Sequence, residues 1–358
     1  MRIAILGTRG IPANYGGFET FAEELSTRLA ARGHAVTVYC RQRHSSPDYR
    51  GVSLQYLPTL RHKYFDTIVH TALSTFHLLG RRADAALYCN AANAVFTILP
   101  RLTGIPVALN VDGIERRRAK WNVLAKGWYR ISEWLATFLP NAMITDAQAI
   151  ADYYRSTYGK QTQFIPYGAE IGKVPTVAAV RELGLEPGRY FLYVSRMEPE
   201  NRALEVRQAF EQVATDFKLA LIGDAPYAHE YIRRVRDTKD PRVVIPGAIY
   251  GRGYQELGSH CFAYVHATEV GGTHPALIEA MGRGALVLYR DNPENREVAG
   301  DAGIPFTGDL KEKMAGVLAM SEAEREGFRR KAVDRVRTRY SWERVTSDYE
   351  ELLTLLVR

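Results

Sequence analysis

The chain of 358 residues contains two successive series of short apolar strands, and each strand is followed by a helical pattern. The first series predicts strands at Ile3 to Leu6, Ala35 to Tyr39, Val52 to Leu57, Ala85 to Cys89, Pro106 to Leu109 and Ala142 to Thr145. Such alternation is typical of βαβ units, in which helices cover a parallel sheet. The first half therefore predicts a doubly wound α/β domain.

The pattern restarts after Phe164 to Gly168, a segment that is interpreted as the domain linker. The second series predicts strands at Tyr190 to Ser195, Lys218 to Ile222, Arg242 to Ile245, Cys261 to His266 and Ala285 to Leu288. The predicted domains are therefore residues 1–167 and 168–340, with loops from both sheets around one cleft. We expect an amphipathic helix over 341–358 to pack across the domain junction.

Composition excludes several classes of protein. Hydrophobic residues make up 46% and charged residues 24%, as in globular proteins. Cys40, Cys89 and Cys261 are far apart in sequence, which argues against a disulfide scaffold and a zinc site. We see neither a signal peptide nor a membrane-spanning segment in the sequence. Together with the cysteine pattern, this predicts a cytoplasmic protein, and no metal is expected.

Charge is concentrated in the first half. Residues 1–168 have a net charge of +9 and the remainder −2. This asymmetry points to nucleic acid, an anionic membrane surface or a phosphorylated ligand, and charge alone does not choose among them.

The loop between the first strand and the first helix contains Gly7, Gly10, Gly16 and Gly17. Glycines allow close approach of the backbone to a ligand, and a helix start offers N–H groups to an anion. The spacing is not the G-x-G-x-x-G of dinucleotide sites. A flexible connection is the alternative, but the loop is longer than most between strand and helix.

Two further segments follow predicted strands of the second half. Arg196 comes directly after Tyr190 to Ser195, where a guanidinium suits a diphosphate, although many surface arginines are only solvated. After Cys261 to His266, a Gly-Gly turn precedes Pro275, a plausible first helical residue, and Glu279 lies one turn into that helix. A helix start can bind phosphates while a carboxylate accepts hydrogen bonds from sugar hydroxyls.

The sequence Leu-Ile-Glu-Ala-Met-x-x-Gly at 277–284, after the Gly-rich turn and Pro275, resembles the donor-binding signature of family 4 glycosyltransferases. The opening Gly-Thr-Arg-Gly-Ile-Pro…Tyr-Gly-Gly-Phe-Glu, the segment 110–117 and the segment 270–275 are similar to its rhamnosyltransferase branch. The resemblance implies a GT-B fold, two Rossmann-like domains facing a central cleft. It also implies metal-independent sugar transfer from a nucleotide diphosphate donor with retention of anomeric configuration.

The resemblance implies roles for individual residues. Arg196 would bind the diphosphate and Glu279 the ribose, while backbone at Gly272 and Thr273 would contact phosphate and donor sugar. Gly16 and Gly17 would approach the phosphates from the first domain. His274 and His266 are interpreted as polar lining of the pocket, because their spacing is poor for a metal.

Two positions depart from the family. The general family has glutamate where this chain has Gly271, and Glu269 is a nearby candidate to replace it. The usual diphosphate lysine is Asn201 here, so Arg202 would supply the charge. Both departures predict an altered pocket for the donor sugar.

Asp112, Tyr15 and Glu115 are the candidates on the acceptor side. Asp112 follows the strand Pro106 to Leu109, where a carboxylate would orient the acceptor hydroxyl or stabilise positive charge on the anomeric carbon. An Asp-Gly turn made with Gly113 is the equal alternative. We therefore count Asp112, Arg196 and Glu279 as the catalytic candidates.

The segment Glu115 to Pro140 alternates basic residues with large apolar residues at helical spacing. The basic residues are Arg116, Arg117, Arg118, Lys120, Lys126 and Arg130, and the apolar ones are Trp121, Leu124, Trp128, Ile131, Leu135 and Phe138. This pattern fits peripheral contact with an anionic membrane or, equally, a stripe that faces the core. Nucleic acid is not expected as a partner, because no recognisable binding module is present.

The sequence thus predicts a retaining glycosyltransferase that moves L-rhamnose from dTDP-rhamnose to a glycan, plausibly lipid-linked, in cell-surface polysaccharide synthesis. No cofactor is expected, and the location would be cytoplasmic or at the inner face of the membrane. The alternatives are a nucleotide-sugar epimerase of the same fold and a non-catalytic protein that binds sugar nucleotides or glycans.

Overall fold

The computed structural model describes residues 1–13, 16–60, 62, 65–117, 122–225 and 227–358. The chain divides into two compact units. The first comprises Met1–Tyr167 together with Trp342–Arg358, and the second comprises Gly168–Ser341. Each unit is an α/β domain with its own sheet, so the prediction of two doubly wound α/β domains is confirmed.

The first sheet has eight strands. They are β1 (Arg2–Leu6), β2 (Ala35–Cys40), β3 (Asp48–Tyr49), β4 (Val52–Tyr56), β5 (Ala85–Cys89), β6 (Val107–Asn110), β7 (Ala142–Thr145) and β8 (Gln163–Phe164). Their order is β3-β4-β2-β1-β5-β6-β7-β8, and all pairs are parallel except β3 with β4. The two-residue edge strands β3 and β8 were not predicted. Phe164 lies in β8, so the linker is shorter than expected.

Helices cover both faces of this sheet. They are α1 (Gly17–Ala31), α2 (Asp66–Leu79), α3 (Ile98–Leu102), α4 (Val123–Ala136) and α5 (Gln148–Tyr158), and a 3-10 helix spans Ala91–Thr97. Right-handed crossovers place α2, α3 and α4 on one face and α1 on the other. The segment predicted as one helix over 115–140 is a 3-10 turn, Glu115–Arg117, followed by α4, and residues 118–121 lie outside the described residues.

The second sheet is entirely parallel, in the order β11-β10-β9-β12-β13-β14. Its strands are β9 (Tyr190–Val194), β10 (Lys218–Ile222), β11 (Val243–Gly247), β12 (Ala263–His266), β13 (Leu286–Arg290) and β14 (Ile304–Phe306). Its helices are α6 (Ala178–Glu182), α7 (Ala203–Glu211), α8 (His229–Arg236), α9 (Gly251–His260), α10 (Pro275–Gly282), α11 (Pro293–Ala299), α12 (Leu310–Ala319) and α13 (Glu322–Arg339). The final helix, α14 (Trp342–Val357), belongs to the first domain, where it packs against α1.

Each core lies between a sheet and its helices. Apolar strand residues such as Leu6 and Leu109 fill the first core, and Phe191 and Leu221 fill the second. These positions are fully buried, which is why the strands read as continuous apolar runs in the sequence. Within the described part of the chain, no helix is long and apolar enough to span a bilayer.

The strand order reverses once in each sheet. In the second sheet β9 and β12 are neighbours, and in the first sheet β1 and β5 are neighbours. Open α/β sheets bind ligands at the carboxyl ends of strands beside such a reversal. Arg196 follows β9, segment 267–274 follows β12, and the Gly-rich loop follows β1, so the candidate residues lie at both reversals.

Candidate functional site

The segment between β12 and α10 carries the predicted phosphate-binding backbone. Gly272 and Thr273 are buried, and Pro275 is the first residue of α10, as the sequence predicted. The first amides of a helix have no acceptor within the helix, so this end of α10 is suited to an anion. The segment can therefore hold a phosphate group at the carboxyl edge of the second sheet.

Gly271 and His274 are in direct contact. A Cβ built on Gly271 would overlap Cε1 of the His274 ring and lie 3.2 Å from both ring nitrogens. The His274 ring also packs on the ring of His266, with centroids 4.9 Å apart. His266 is buried, and burial lowers its pKa to about 3. The His274 ring therefore fills the space beside Gly271, and it packs against the neutral ring of His266.

Glu269 and Arg202 belong to a ring of four charged side chains. The Glu269 carboxylate accepts hydrogen bonds from Nη2 of Arg202 at 2.8 Å and forms an ion pair with Nη2 of Arg290 at 2.6 Å. Glu205 pairs with Arg202 and lies 3.8 Å from Arg290. The positive charge of Arg202 is thus already balanced by two carboxylates. Glu269 is likewise held by two guanidinium groups.

Arg196 is positioned by its own loop. Its guanidinium is partly exposed and lies 3.8 Å from Oε2 of Glu198, a buried carboxylate. Asn201 is buried, and its Nδ2 donates to the carbonyl oxygen of Arg196 at 2.6 Å. The Asn201 amide therefore fixes the main chain that carries Arg196. A direct contact between Asn201 and a donor stays a prediction.

Glu279 lies in the second turn of α10, and a neighbouring helix holds its carboxylate. The hydroxyl of Tyr254, on α9, donates to Oε2 of Glu279. Burial and the nearby negative charge of Glu279 keep the pKa of Tyr254 well above its usual value, so the phenol remains a donor. Tyr254 thus restrains the orientation of the predicted ribose-binding carboxylate.

Two glycines of the loop after β1 are required by packing within the first domain. Gly7 has φ +91°, and its added Cβ would overlap the carbonyl oxygen of Cys89. Gly10 has φ +103°, and its added Cβ would overlap Cys40. Gly16 instead has extended backbone and caps α1, which begins at Gly17 as predicted. Gly16 and Gly17 therefore remain the glycines of this loop that are predicted to approach a ligand.

The α1 end of this loop also holds a buried carboxylate. Glu19 is buried, and its Oε1 accepts the backbone N–H of Arg9 at 3.0 Å. Burial raises the pKa of Glu19. The carboxylate therefore ties the loop to the first turn of α1.

Asp112 lies just past β6 in the left-handed region, with φ +58°. Its N–H donates to Oδ1 of Asn110 at 3.0 Å, and Nδ2 of Asn110 donates to the hydroxyl of Tyr349 at 2.8 Å. This backbone fits the Asp-Gly turn considered from the sequence, and it also leaves the carboxylate half-buried at the strand's carboxyl end. The turn and the catalytic role are thus compatible.

Of the other two acceptor-side candidates, Glu115 lies among the described residues and Tyr15 does not. Glu115 is buried in the 3-10 turn Glu115–Arg117. Tyr15 lies outside the described residues.

Two family models match the chain. The model described as Glycosyltransferase Family 4 matches residues 15–172, and the one described as Glycosyl transferases group 1 matches residues 188–321. The chain belongs to the family 4 glycosyltransferases. No curated protein matches the sequence of this glycosyltransferase at a significant level.

Solved structures share its GT-B fold at low identity. HepE of Anabaena, in complex with UDP and glucose, is similar with a TM-score of 0.81, 15% identity and 99% coverage of both chains. Sucrose-phosphate synthase from Thermosynechococcus elongatus has a TM-score of 0.78, 17% identity and coverage of 99% and 98%. WaaG, a glycosyltransferase involved in lipopolysaccharide biosynthesis, has a TM-score of 0.73, 15% identity and 99% coverage of both chains.

Several side chains of the glycosyltransferase site were missed from the sequence. Tyr254 and Arg290 lie on other elements from their partners, so no local spacing indicates them. Asn292 and Asn295 both donate to the carbonyl of Thr268, at 3.1 and 3.0 Å, and thereby hold the segment after β12. The polar Asn-Pro-x-Asn sequence after β13 was the available signal. Among the described residues, no group of three His, Cys, Asp or Glu side chains is arranged for a metal ion.

Proposed function

We propose that this glycosyltransferase moves L-rhamnose, a 6-deoxyhexose, from dTDP-rhamnose to a glycan acceptor with retention of anomeric configuration. The observation that supports this donor is the contact between Gly271 and His274. Where the general family has a glutamate, the chain has no side chain, and an imidazole ring fills the space.

This exchange alters what the sugar pocket can bind. A carboxylate accepts hydrogen bonds from sugar hydroxyls, whereas the face of an imidazole ring packs against C–H groups. A 6-deoxyhexose has a methyl group where a hexose has a hydroxymethyl group, so it needs one fewer hydrogen-bond partner. The Gly271–His274 pair therefore favours a deoxy sugar over glucose.

The proposed reaction needs no enzymic nucleophile. The acceptor hydroxyl oxygen bonds to C1 of the sugar on the face that the diphosphate leaves, the C1–O bond to the diphosphate breaks, and a phosphate oxygen takes the hydroxyl proton. Arg196 and the amides at Gly272 and Thr273 stabilise the leaving diphosphate. Glu279 binds the ribose, and Asp112 stabilises positive charge on C1.

The proposed acceptor is a growing glycan carried by a membrane lipid during cell-surface polysaccharide synthesis. Asp112 is the candidate for orienting its hydroxyl, and Tyr15 and Glu115 are the other acceptor-side candidates. Such an acceptor requires an enzyme that works on the cytoplasmic side of a membrane. The sequence predicts a membrane contact within the segment 115–140, which includes α4.

A thermal-shift panel tests the donor. A ligand at 100 times its Kd stabilises the native state by about 2.7 kcal/mol, so a bound nucleotide sugar raises Tm measurably. We expect dTDP-rhamnose to give a larger shift than dTDP-glucose or UDP-glucose. A larger shift with UDP-glucose would contradict the proposed donor. Consumption of the donor without an acceptor would favour the epimerase, and binding without turnover would favour a non-catalytic protein.

Two variants test the site. Arg196→Ala and Glu279→Ala should each abolish sugar transfer while Tm stays close to that of the parent, because both side chains are partly exposed. Arg330→Ala and Glu312→Ala, exposed positions on α13 and α12, are the matched controls and should keep full activity. Full activity of the Arg196 and Glu279 variants would contradict the site assignment.

A further inference from the structure

Helix α4 exposes large apolar side chains to solvent, whereas its buried side carries polar residues beside Tyr129 and Ala136. Ser132 and Glu133 are 0% and 2% exposed, whereas Val123 and Leu124 are 85% and 84% exposed. The exposed large apolar side chains of α4 are Val123, Leu124, Ile131 and Trp134, and Phe138 just after the helix is exposed as well. A helix of a water-soluble domain normally buries its apolar side. The alternative of a core-facing stripe is therefore wrong for Leu124, Ile131 and Phe138.

The orientation of α4 is fixed by its buried carboxylate. Oε1 and Oε2 of Glu133 accept hydrogen bonds from Nε of Arg116 at 3.1 and 3.0 Å, and Oε2 also accepts one from the hydroxyl of Tyr153 at 2.8 Å. Rotation of α4 to bury Leu124 would bring this carboxylate into solvent and break all three bonds. The exposed apolar side is thus a consequence of specific contacts.

Helix α2 also buries polar side chains, beside Leu78, and exposes apolar ones. His70, Thr71 and Ser74 are fully buried, while Phe76 is 62% and Leu73 is 39% exposed. Burial lowers the pKa of His70 to about 4, so the ring is neutral at physiological pH. Burying polar side chains costs free energy, and exposing apolar side chains to water costs free energy as well. An apolar partner that covers the outer side of the helix would remove the second cost.

The two helices belong to one layer. Both α2 and α4 pack against the 3-10 helix Ala91–Thr97, and α3 packs against α2. The guanidinium of Arg101, at the end of α3, donates to the carbonyls of Phe138 and Leu139 at 2.9 and 3.0 Å. Leu102, beside it, is also exposed. We call the outer side of α2, α3 and α4 the docking face.

The charges on α3 and α4 have one sign. Every residue of these two helices is described, and their exposed charged side chains are Arg101, Lys126 and Arg130. Their one acidic residue, Glu133, is buried. Trp134 and Phe138, whose rings are 4.7 Å apart, add aromatic surface among these cations. Cations beside exposed aromatic and aliphatic side chains are complementary to anionic headgroups above an acyl layer.

We propose that the docking face binds the surface of a lipid bilayer that contains anionic lipids, with the apolar side chains of α2 and α4 in the headgroup region. This surface differs from the segment expected from the sequence, because it includes α2 and α3 and excludes Arg116, which pairs with Glu133. The proposal deepens the lipid-linked acceptor proposed above by naming the surface that meets the lipid.

Flotation of the full-length protein with vesicles tests the proposal. Vesicles of phosphatidylcholine alone are compared with vesicles of phosphatidylcholine and phosphatidylglycerol, without donor or acceptor. One double variant, Lys126→Ser with Arg130→Ser, removes charge, and a second, Leu124→Ser with Ile131→Ser, removes apolar area. The controls are Arg337→Ser with Arg339→Ser on α13 and Leu355→Ser with Val357→Ser on α14, all at exposed positions.

We expect the parent to float with the anionic vesicles and far less with phosphatidylcholine alone. At about 1 kcal/mol for each basic residue near the surface, the charge variant should bind about 30-fold more weakly. The apolar variant should lose about 10-fold or more. Both controls should bind like the parent, and thermal unfolding should show all variants folded, because the substituted side chains are exposed.

Parent-like flotation of either docking-face variant would overturn the proposal, as would an equal loss in the controls. A parent that ignores vesicles but forms a dimer, which the apolar variant dissociates in sedimentation velocity, would assign the face to a second copy of the chain instead. The flotation assay contains neither donor nor acceptor. A failure of vesicle binding would therefore leave the proposed sugar transfer untouched, and a failure of sugar transfer would leave the proposed vesicle binding untouched.

Discussion

Replacement of Gly271 by alanine tests whether the His274 ring shapes the donor pocket. A Cβ at position 271 would overlap Cε1 of the ring and lie 3.2 Å from Nδ1 and Nε2. Non-bonded heavy atoms prefer separations of about 3.5–4.0 Å, so the ring must move. The backbone itself accepts alanine, because Gly271 does not lie in the left-handed region.

The expected effect is on activity more than on stability. His274 is only partly buried, so we expect its ring to shift and the free energy of unfolding to change by less than about 1 kcal/mol. Losing one contact with the donor sugar costs about 1–2 kcal/mol, which lowers kcat/KM about 5- to 30-fold. The change should be larger with dTDP-rhamnose than with donors that do not use the ring.

A double-mutant cycle separates this mechanism from a general disturbance of the loop. Steady-state transfer is measured for Gly271→Ala, His274→Ala and the double variant. Once the ring is removed, the alanine has nothing to displace, so it should add little to the loss caused by His274→Ala. Gly316→Ala, on α12, places a Cβ with no heavy atom within 4 Å and should behave like the parent. Additive losses in the double variant would refute the reasoning.

Three further variants probe the side chains around this pocket. Asn201→Ala removes one of the two hydrogen bonds that the carbonyl of Arg196 accepts, the other coming from the N–H of Glu198, so the free energy of unfolding in urea should fall by about 0.5–1.5 kcal/mol, and an unchanged midpoint would contradict this. Tyr254→Phe frees the Glu279 carboxylate, so calorimetry should show nucleoside diphosphate binding about 10-fold more weakly, whereas equal affinity would remove Tyr254 from the site. The pKa of His266 is about 3 in the native protein, against an ordinary value of 6.5 in the unfolded chain, so between these pH values the unfolded chain binds more protons. The free energy of unfolding therefore falls as the pH drops from 6.5 toward 3. His266→Gln should flatten this dependence of Tm, and an unaltered slope would contradict it.

The sheets were predictable where strands are buried on both faces. β7 and β10 have the bounds expected from the sequence, since every residue packs against a helix or a neighbouring strand. The strands β3, β8 and β14 were missed. Two or three residues at a sheet edge carry no alternation of apolar and polar side chains, so their pairing is visible only once the neighbouring strand is in place.

The site was predictable where a loop follows a strand directly. Arg196 and the segment before Pro275 come from such loops, and their place at the carboxyl edge follows from the parallel sheet. Partners from elsewhere in the chain were not predictable, because the contact of Tyr254 with Glu279 depends on how α9 packs beside α10. The periodicity of α4 predicted a helix, but it did not show that Glu133, which Arg116 and Tyr153 hold, lies on the buried side.

The two departures from the family alter the charges of the pocket together. A glutamate is replaced by Gly271 and a lysine by Asn201, so one negative and one positive charge are absent and the balance is kept. Arg202, the cation predicted to replace the lysine, pairs in this structure with Glu269 and Glu205. We therefore expect the charge of a bound diphosphate to fall on Arg196 and on the amides that begin α10. We therefore expect Asn201, which fixes the main chain of Arg196, to act on the pocket through position, where a lysine would act through charge.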